Sequence, residues 1–309
     1  MPSKINLAAM LDQVWDHQPE LVGLENVVLK ELIHYEILSA LDRHGILQRL
    51  AFHGGTALRL CYGASRLSED LGFAGGPGFT RKDVAGISEV VQSHLASRYG
   101  LDIIVKEPQP RKKDIRRVAV DTWQISVVTN PEQLHLPRQR IKIDIATMES
   151  RSTDLQTIRK NYPVLPSGLE GLLVPVMSTQ EILANKLVSL PASAYRNRIR
   201  YRDIWDIAWL ILEGTSINPE WLTKRLGEFG IVDYGERVSA IRKMLGEPDA
   251  GERFKKDMTR FLPEKAMTRT FGRTGADAFM FRVVQDSLTK AAQMQNNSAL
   301  QGNGVEPPP

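Results

Sequence analysis

Cysteine is nearly absent: Cys61 is the only one in 309 residues. An internal disulfide and a cysteine-built zinc site are therefore both excluded. Long apolar runs are missing too, so nothing in the sequence reaches the length needed to cross a membrane. The start, MPSKINLAAMLDQVWDHQ, has no uninterrupted apolar core of the kind a secretory signal carries, and the expected location is the cytoplasm. Aromatic residues are sparse at 7%, and neither an internal repeat nor an extended low-complexity region is present. No glycine-rich segment is followed by GKS or GKT, so the chain has no P-loop.

What remains is an ordinary globular composition, 42% hydrophobic and 25% charged, long enough for a substantial core and for two domains. The formal net charge of +4 permits a nucleic-acid partner without requiring one. The densest basic run, Arg111-Lys112-Lys113-Asp114 with Arg116 and Arg117, fits a solvated hairpin as well as a phosphate contact.

The most informative stretch is LAFHGGTALRLCYGASRLSEDLGF, residues 50–73. A short apolar run meets Gly54-Gly55-Thr56 and apolar residues then resume, which predicts a strand, a tight turn and a short helix ended by Gly63. Glycines at such a turn let backbone N–H groups approach an anion at a helix start. A Gly-Gly turn between a strand and a helix is also common without any ligand. Cys61 falls on the apolar face of that helix, as a small hydrophobe. Leu71 and Phe73 then alternate with Asp70 and Gly72, predicting a second strand with a carboxylate on its open face.

A helix is expected over Leu24 to Leu41, and another from about Arg81 to Arg98, capped by Thr80 and striped with Val84, Ile87, Val90, Val91 and Leu95. A strand is expected over Leu101 to Val105, and a strand or hairpin over Val118 to Val127. From Arg138 to Ile145 a strand alternates, with Arg140, Lys142 and Asp144 on one face and Ile141, Ile143 and Ile145 on the other. Asp144 could meet Asp70 across a sheet, and convergent carboxylates on Mg²⁺ are what nucleotidyl transfer needs. Ser152 to Pro175, rich in proline and glycine, reads as a domain boundary.

Helical periodicity dominates beyond it. Ser178 and Glu181 form a capping-box signature for a helix running to Pro191, and a second helix covers Arg196 to Leu212 with Asp203 and Asp206 as neighbours. Lys186 lies among apolar residues, so it either snorkels outward, the commoner explanation, or has an anionic partner. Further helices are expected over Pro219 to Glu228, Tyr234 to Leu245, Ala250 to Phe261 and Ala276 to Met294, with a break at Arg269 to Gly275 and a disordered tail over residues 296–309. The domains are thus a lead over 1–20, an α/β domain over 21–170 and a helical domain over 171–295.

GGTALRLCYGASRLSEDLGF, IKIDIA at Ile141 to Ala146, EILANKL at Glu181 to Leu187 and YRDIWDIAWL at Tyr201 to Leu210 together resemble the AbiEii/AbiGii abortive-infection toxin family. These are nucleotidyltransferase toxins of type IV toxin–antitoxin systems, linked to phage defence. The resemblance implies an α+β fold of the polymerase-beta nucleotidyltransferase type with a mostly helical C-terminal domain. It implies transfer of a nucleotide from a nucleoside triphosphate, with Mg²⁺, to an RNA end such as tRNA or to a protein hydroxyl. A cognate antitoxin would be the protein partner.

Carried over by position, Gly54, Gly55 and Thr56 would hold the triphosphate. Ser68 and Arg66 would position the catalytic strand, Ser68 beside the nucleotide. Asp70 and Asp144 would bind the metal, Lys186 would contact phosphates, and Asp203 would complete the catalytic set, with Asp206 in a supporting place. One position departs from the family pattern: Gly72 stands where a second aspartate is usual. Glu69 cannot replace it, because adjacent strand residues point to opposite faces. A catalytically degenerate protein that binds nucleotide, RNA or antitoxin is the alternative reading.

Overall fold

The computed structural model describes residues 5–109, 118–128, 138–165, 168–169 and 171–302. The Arg111 to Arg117 basic run lies outside them. The described chain divides into two compact units, residues 1–178 with 260–267, and residues 179–259 with 268–309.

The first unit opens with helix α1, Leu7–His17, inside the expected lead, and its Asn6 side chain caps it by accepting from the Ala9 N–H at 3.1 Å. Helix α2, Glu25–Arg43, is buried over most of its length. The Leu50 stretch gives strand β1, Ala51–His53, the short helix α3, Gly54–Ala57, a π-type turn over Leu58–Tyr62, and strand β2, Leu71–Ala74. Gly63 ends the π-type turn in the left-handed conformation, φ 86°. Cys61 is buried there, and burial pushes its thiol up to about 12. The helix expected over Arg81 to Arg98 is broken. Thr80 and Asp83 close a capping box over a 3-10 turn at Arg81–Val84, and helix α4, Ile87–Tyr99, starts afresh after Gly86, whose φ of 84° no helix residue adopts.

Strands β3, Ile103–Lys106, β4, Val120–Val127, and β5, Gln139–Ala146, follow as expected. The expected boundary region holds two further strands, β6, Thr153–Thr157, and β7, Leu173–Met177. All seven form one sheet in the order β3-β4-β5-β2-β1-β7-β6. β2 runs parallel to β5 and β1 parallel to β7, while β1 and β2 are antiparallel. Thus the strand that follows the Gly-Gly-Thr turn sits at the centre of the sheet, between β1 and the Asp144 strand. Ile141, Ile143 and Ile145 of β5 face the core, and α2 packs against β5 and α4.

The second unit is helical: α5, Thr179–Ala194; α6, Tyr201–Leu212; α7, Pro219–Phe229; α8, Tyr234–Leu245; and α9, Ala250–Met258. Helix α10, Glu264–Phe271, whose residues 264–267 belong to the first unit, occupies a stretch where none is expected, and α11, Ala276–Gly302, runs on past Met294. Residues 303–309 lie outside the described chain. Phe254 gathers Tyr201, Phe271 and Phe281 around itself in an aromatic cluster, with ring centroids 5.4–5.9 Å apart.

Helix α5 does not stop at Pro191. A proline inside a helix removes the N–H that should bond the carbonyl four residues back, here Leu187. The buried Tyr234 hydroxyl on α8 donates to that carbonyl at 3.0 Å, supplying the missing partner. Tyr234→Phe is expected to cost about 1–2 kcal/mol of unfolding free energy, because it strands a buried carbonyl. Urea denaturation of the two proteins measures it, and unchanged stability would show that the carbonyl is satisfied otherwise.

Candidate active site

The carboxylates of the first unit are placed by strand register. β2 and β5 pair Gly72 with Asp144, so both positions open onto the same face. Asp70 lies just ahead of β2, and its Oδ1 accepts the Lys142 backbone N–H at 3.0 Å. Asp144 Oδ1 accepts the Thr122 hydroxyl at 2.6 Å from β4, the next strand out. The backbone of Asp70 is held as well, since the Thr56 hydroxyl donates to its carbonyl at 2.5 Å. On its other side Glu69 pairs with Lys30 at 2.7 Å, and the His34 Nε2–H donates to the Glu69 carbonyl at 3.1 Å.

Burial raises the Asp70 carboxyl above its ordinary value; the Lys142 N–H and charge pull it down, and the charges of Asp144 and Glu69 push it up. Asp70 and Asp144 thus carry their carboxylates on one face of the sheet, on adjoining chain segments. Two protein carboxylates fit one Mg²⁺, which takes its other oxygens from phosphates and water. Among the described residues no three His, Cys, Asp or Glu side chains form a closed metal cluster.

The Gly-Gly-Thr turn borders this face. Gly54 has φ 84°, a conformation that side chains resist. Gly55 is needed for a different reason: a Cβ there would run into the Arg66 guanidinium and come within 3.1 Å of the Ser68 Oγ. The buried Arg66 also donates to the Leu67 carbonyl at 2.8 Å. So Ser68 and Arg66 pack onto the turn itself, and the Thr56 hydroxyl is committed to the Asp70 backbone.

In the second unit Lys186 does not snorkel. Its Nζ lies 2.6 Å from Asp203 Oδ1 and 2.9 Å from Asp206 Oδ2, with all three side chains nearly out of solvent. Arg200 reaches Asp203 Oδ2 at 2.6 Å, and the Ser189 hydroxyl donates to it at 2.8 Å. Burial alone would raise the Asp203 carboxyl; the charges of Lys186 and Arg200 and the hydrogen bonds override it and hold it well below the carboxylate range. Asp206, expected in a supporting place, is a full member of this cluster. The i, i+3 spacing of Asp203 and Asp206 and the apolar setting of Lys186 were the signals for it. Arg138, just ahead of β5, forms an exposed pair with Asp102 at 3.1 Å.

Sequence reasoning missed His53. It pairs with Gly72 across β1 and β2, and its ring fills the space beside that glycine: a Cβ on Gly72 would meet His53 Cε1 at 3.2 Å.

The sequence profile of the family described as Nucleotidyl transferase AbiEii toxin, Type IV TA system, matches residues 36–273. The chain belongs to that family. Its architecture, a mixed sheet domain followed by a helical region, is the polymerase-beta type of nucleotidyltransferase fold. Among solved structures, MenT4, a nucleotidyltransferase toxin of Mycobacterium tuberculosis H37Rv, is similar at 18% identity and TM-score 0.54, covering 93% of this chain and 99% of its own. JHP933 of Helicobacter pylori is 18% identical with TM-score 0.38, covering 89% of this chain and 97% of its own. Only the first of these bears on the fold. No curated protein matches the sequence. Among the described residues no helix is long and apolar enough to cross a membrane.

Proposed function

We propose that this AbiEii-family protein is a cytoplasmic, Mg²⁺-dependent nucleotidyltransferase whose chemistry is carried out on the Asp70–Asp144 face. The observation that carries this reading is the arrangement of the two carboxylates on adjoining parallel segments, each fixed by a hydrogen bond, beside a glycine turn backed by a buried arginine. In the reaction an acceptor hydroxyl oxygen attacks the α-phosphorus of a nucleoside triphosphate. A new P–O bond forms, the bond from the α-phosphorus to the bridging oxygen breaks, pyrophosphate leaves, and the hydroxyl proton passes to solvent. Mg²⁺ at the carboxylates would offset the charge of the triphosphate and of the leaving pyrophosphate. Asp70 and Asp144 bind and orient, while Thr56 holds the Asp70 carbonyl and His34 the Glu69 carbonyl, so that the Asp70 carboxylate need not reorganise. The acceptor is an RNA end, with tRNA the leading candidate, or a protein hydroxyl, and the protein partner is a cognate antitoxin.

The test is incubation of the purified protein with Mg²⁺, each α-labelled nucleoside triphosphate and total bacterial RNA, with Asp144→Ala in parallel. Label is expected on RNA or protein with the native chain and to be lost with the variant. Full transfer by a folded Asp144→Ala protein would sink the assignment. Gly72 favours the second reading, a protein that binds nucleotide, RNA or antitoxin without transferring. Nucleotide binding with no pyrophosphate release would establish it.

A further inference from the structure

We propose that the carboxylate face holds a single divalent cation, and that the His53 imidazole occupies the place a second cation's carboxylate would need. The inference rests on the nucleotidyltransferase reading and goes beyond it by fixing the metal stoichiometry of the site. Two-cation transfer sites set their ions about 3.5–4 Å apart, and a carboxylate must bridge or flank both. On this face the register aligns four positions across neighbouring strands: Thr122 on β4, Asp144 on β5, Gly72 on β2 and His53 on β1. Asp70 lies one step along, beside Lys142. A side chain at position 72 would project between Asp144 and His53, on the side of Asp144 away from Thr122, where a further carboxylate could flank Asp144.

Two features close that place. Position 72 carries no side chain, and the room a side chain would take is occupied, because a Cβ there would lie 3.2 Å from His53 Cε1, 3.3 Å from the His53 carbonyl oxygen and 3.5 Å from Nδ1. Contacts of 3.2–3.3 Å are tighter than most real Cβ contacts, so the ring must give by a few tenths of an ångström before a side chain enters. Glycine and histidine therefore form a matched pair. Restoring an aspartate at 72 alone meets the imidazole, and removing the imidazole alone leaves no ligand. Only the joint change builds a second position that the imidazole does not crowd.

The experiment counts Mn²⁺ bound per complex by electron paramagnetic resonance, with a non-hydrolysable α,β-methylene nucleoside triphosphate at saturation. It uses the full native chain, His53→Ala, Gly72→Asp, and the pair His53→Ala with Gly72→Asp. One ion is expected on the native protein and on His53→Ala, and two on the pair variant, with the second held more weakly by Gly72→Asp alone. Two ions on the native chain would overturn the proposal while leaving the transferase reading intact. Loss of the ion in His53→Ala would also overturn it, by making the imidazole a ligand rather than an occupant. So would a pair variant that melts cooperatively and still binds one ion. If the pair variant does not fold, the native and His53→Ala counts decide the matter. No ion on the native complex would defeat the transferase reading itself.

Discussion

Lys186→Met is expected to lower the unfolding free energy by about 3–5 kcal/mol, because it leaves buried carboxylates without their ammonium. Lys186 Nζ serves both Asp203 and Asp206 at 2.6 and 2.9 Å. Methionine has nearly the same reach and no charge, so packing is kept while the compensation is lost. Asp203 keeps the Ser189 hydroxyl and Arg200, but the Arg200 side chain is about half exposed and water screens it. The penalty is one of desolvation, so it should be relieved by removing negative charge. Adding Asp206→Asn to Lys186→Met is expected to recover part of the lost stability, in a urea series on all three proteins. A cost below about 1 kcal/mol for Lys186→Met would mean that water reaches the pair as it does at a surface.

The same cluster bears on how activity measurements on these residues are read. The family resemblance assigns Lys186 and Asp203 to catalysis, yet within their own unit they neutralise each other. A Lys186 variant that loses transfer must therefore be shown to be folded at the assay temperature before the loss is credited to chemistry. The cluster has an acid limit as well. The Asp203 carboxyl is held below its ordinary 3.8, so its contribution is complete above that value and is lost as the pH falls below it.

How much of this was legible in the sequence depended on whether the local pattern and the tertiary environment agreed. The IKIDIA segment of β5 alternates because one face is core and the other open, so both the strand and the face of Asp144 could be read from it. β6 could not be read: TDLQT is an edge strand exposed along nearly its whole length, with Leu155 66% exposed, so no alternation was imposed on it. β7 was hidden by Pro175, which withholds a ladder donor. Pro191 signalled a helix end for the same reason, and only the distant Tyr234 hydroxyl makes continuation affordable. Asp70 and Asp144 were legible as residues, because alternation marks their faces. The Gly72–His53 contact was not, since it depends on which strand lies beside which.

Acid is expected to destabilise the protein through His34, over a pH range well above that of the carboxylates. His34 is fully buried on α2, and burial pushes its imidazole down from 6.5 to about 4; the Glu69 carbonyl and charge raise it and the Lys30 charge lowers it. Its Nδ1 has no hydrogen-bond partner among the described residues, so a proton added there would be a buried donor with nothing to meet. The unfolded chain takes up that proton near 6.5, whereas the folded chain refuses it until about 4. Stability from this group is therefore complete above 6.5 and drains away as the pH falls toward 4. At about 1.4 kcal/mol per pH unit the loss reaches about 3 kcal/mol. Glu36, paired with His94 at 2.8 Å, has its carboxyl lowered below 4.5 despite burial, and so contributes its own loss only at more acid pH. His34→Gln keeps a donor for the Glu69 carbonyl but cannot take up a proton. Urea midpoints between pH 6.5 and 4 should fall steeply for the native chain and much less for the variant, and equal slopes would remove His34 as the cause. Because His34 grips the residue before Asp70, the same titration should loosen the segment that carries the Asp70 carboxylate. Transfer activity should then decline with the native midpoint as the pH falls, and the His34→Gln protein should hold its activity to lower pH.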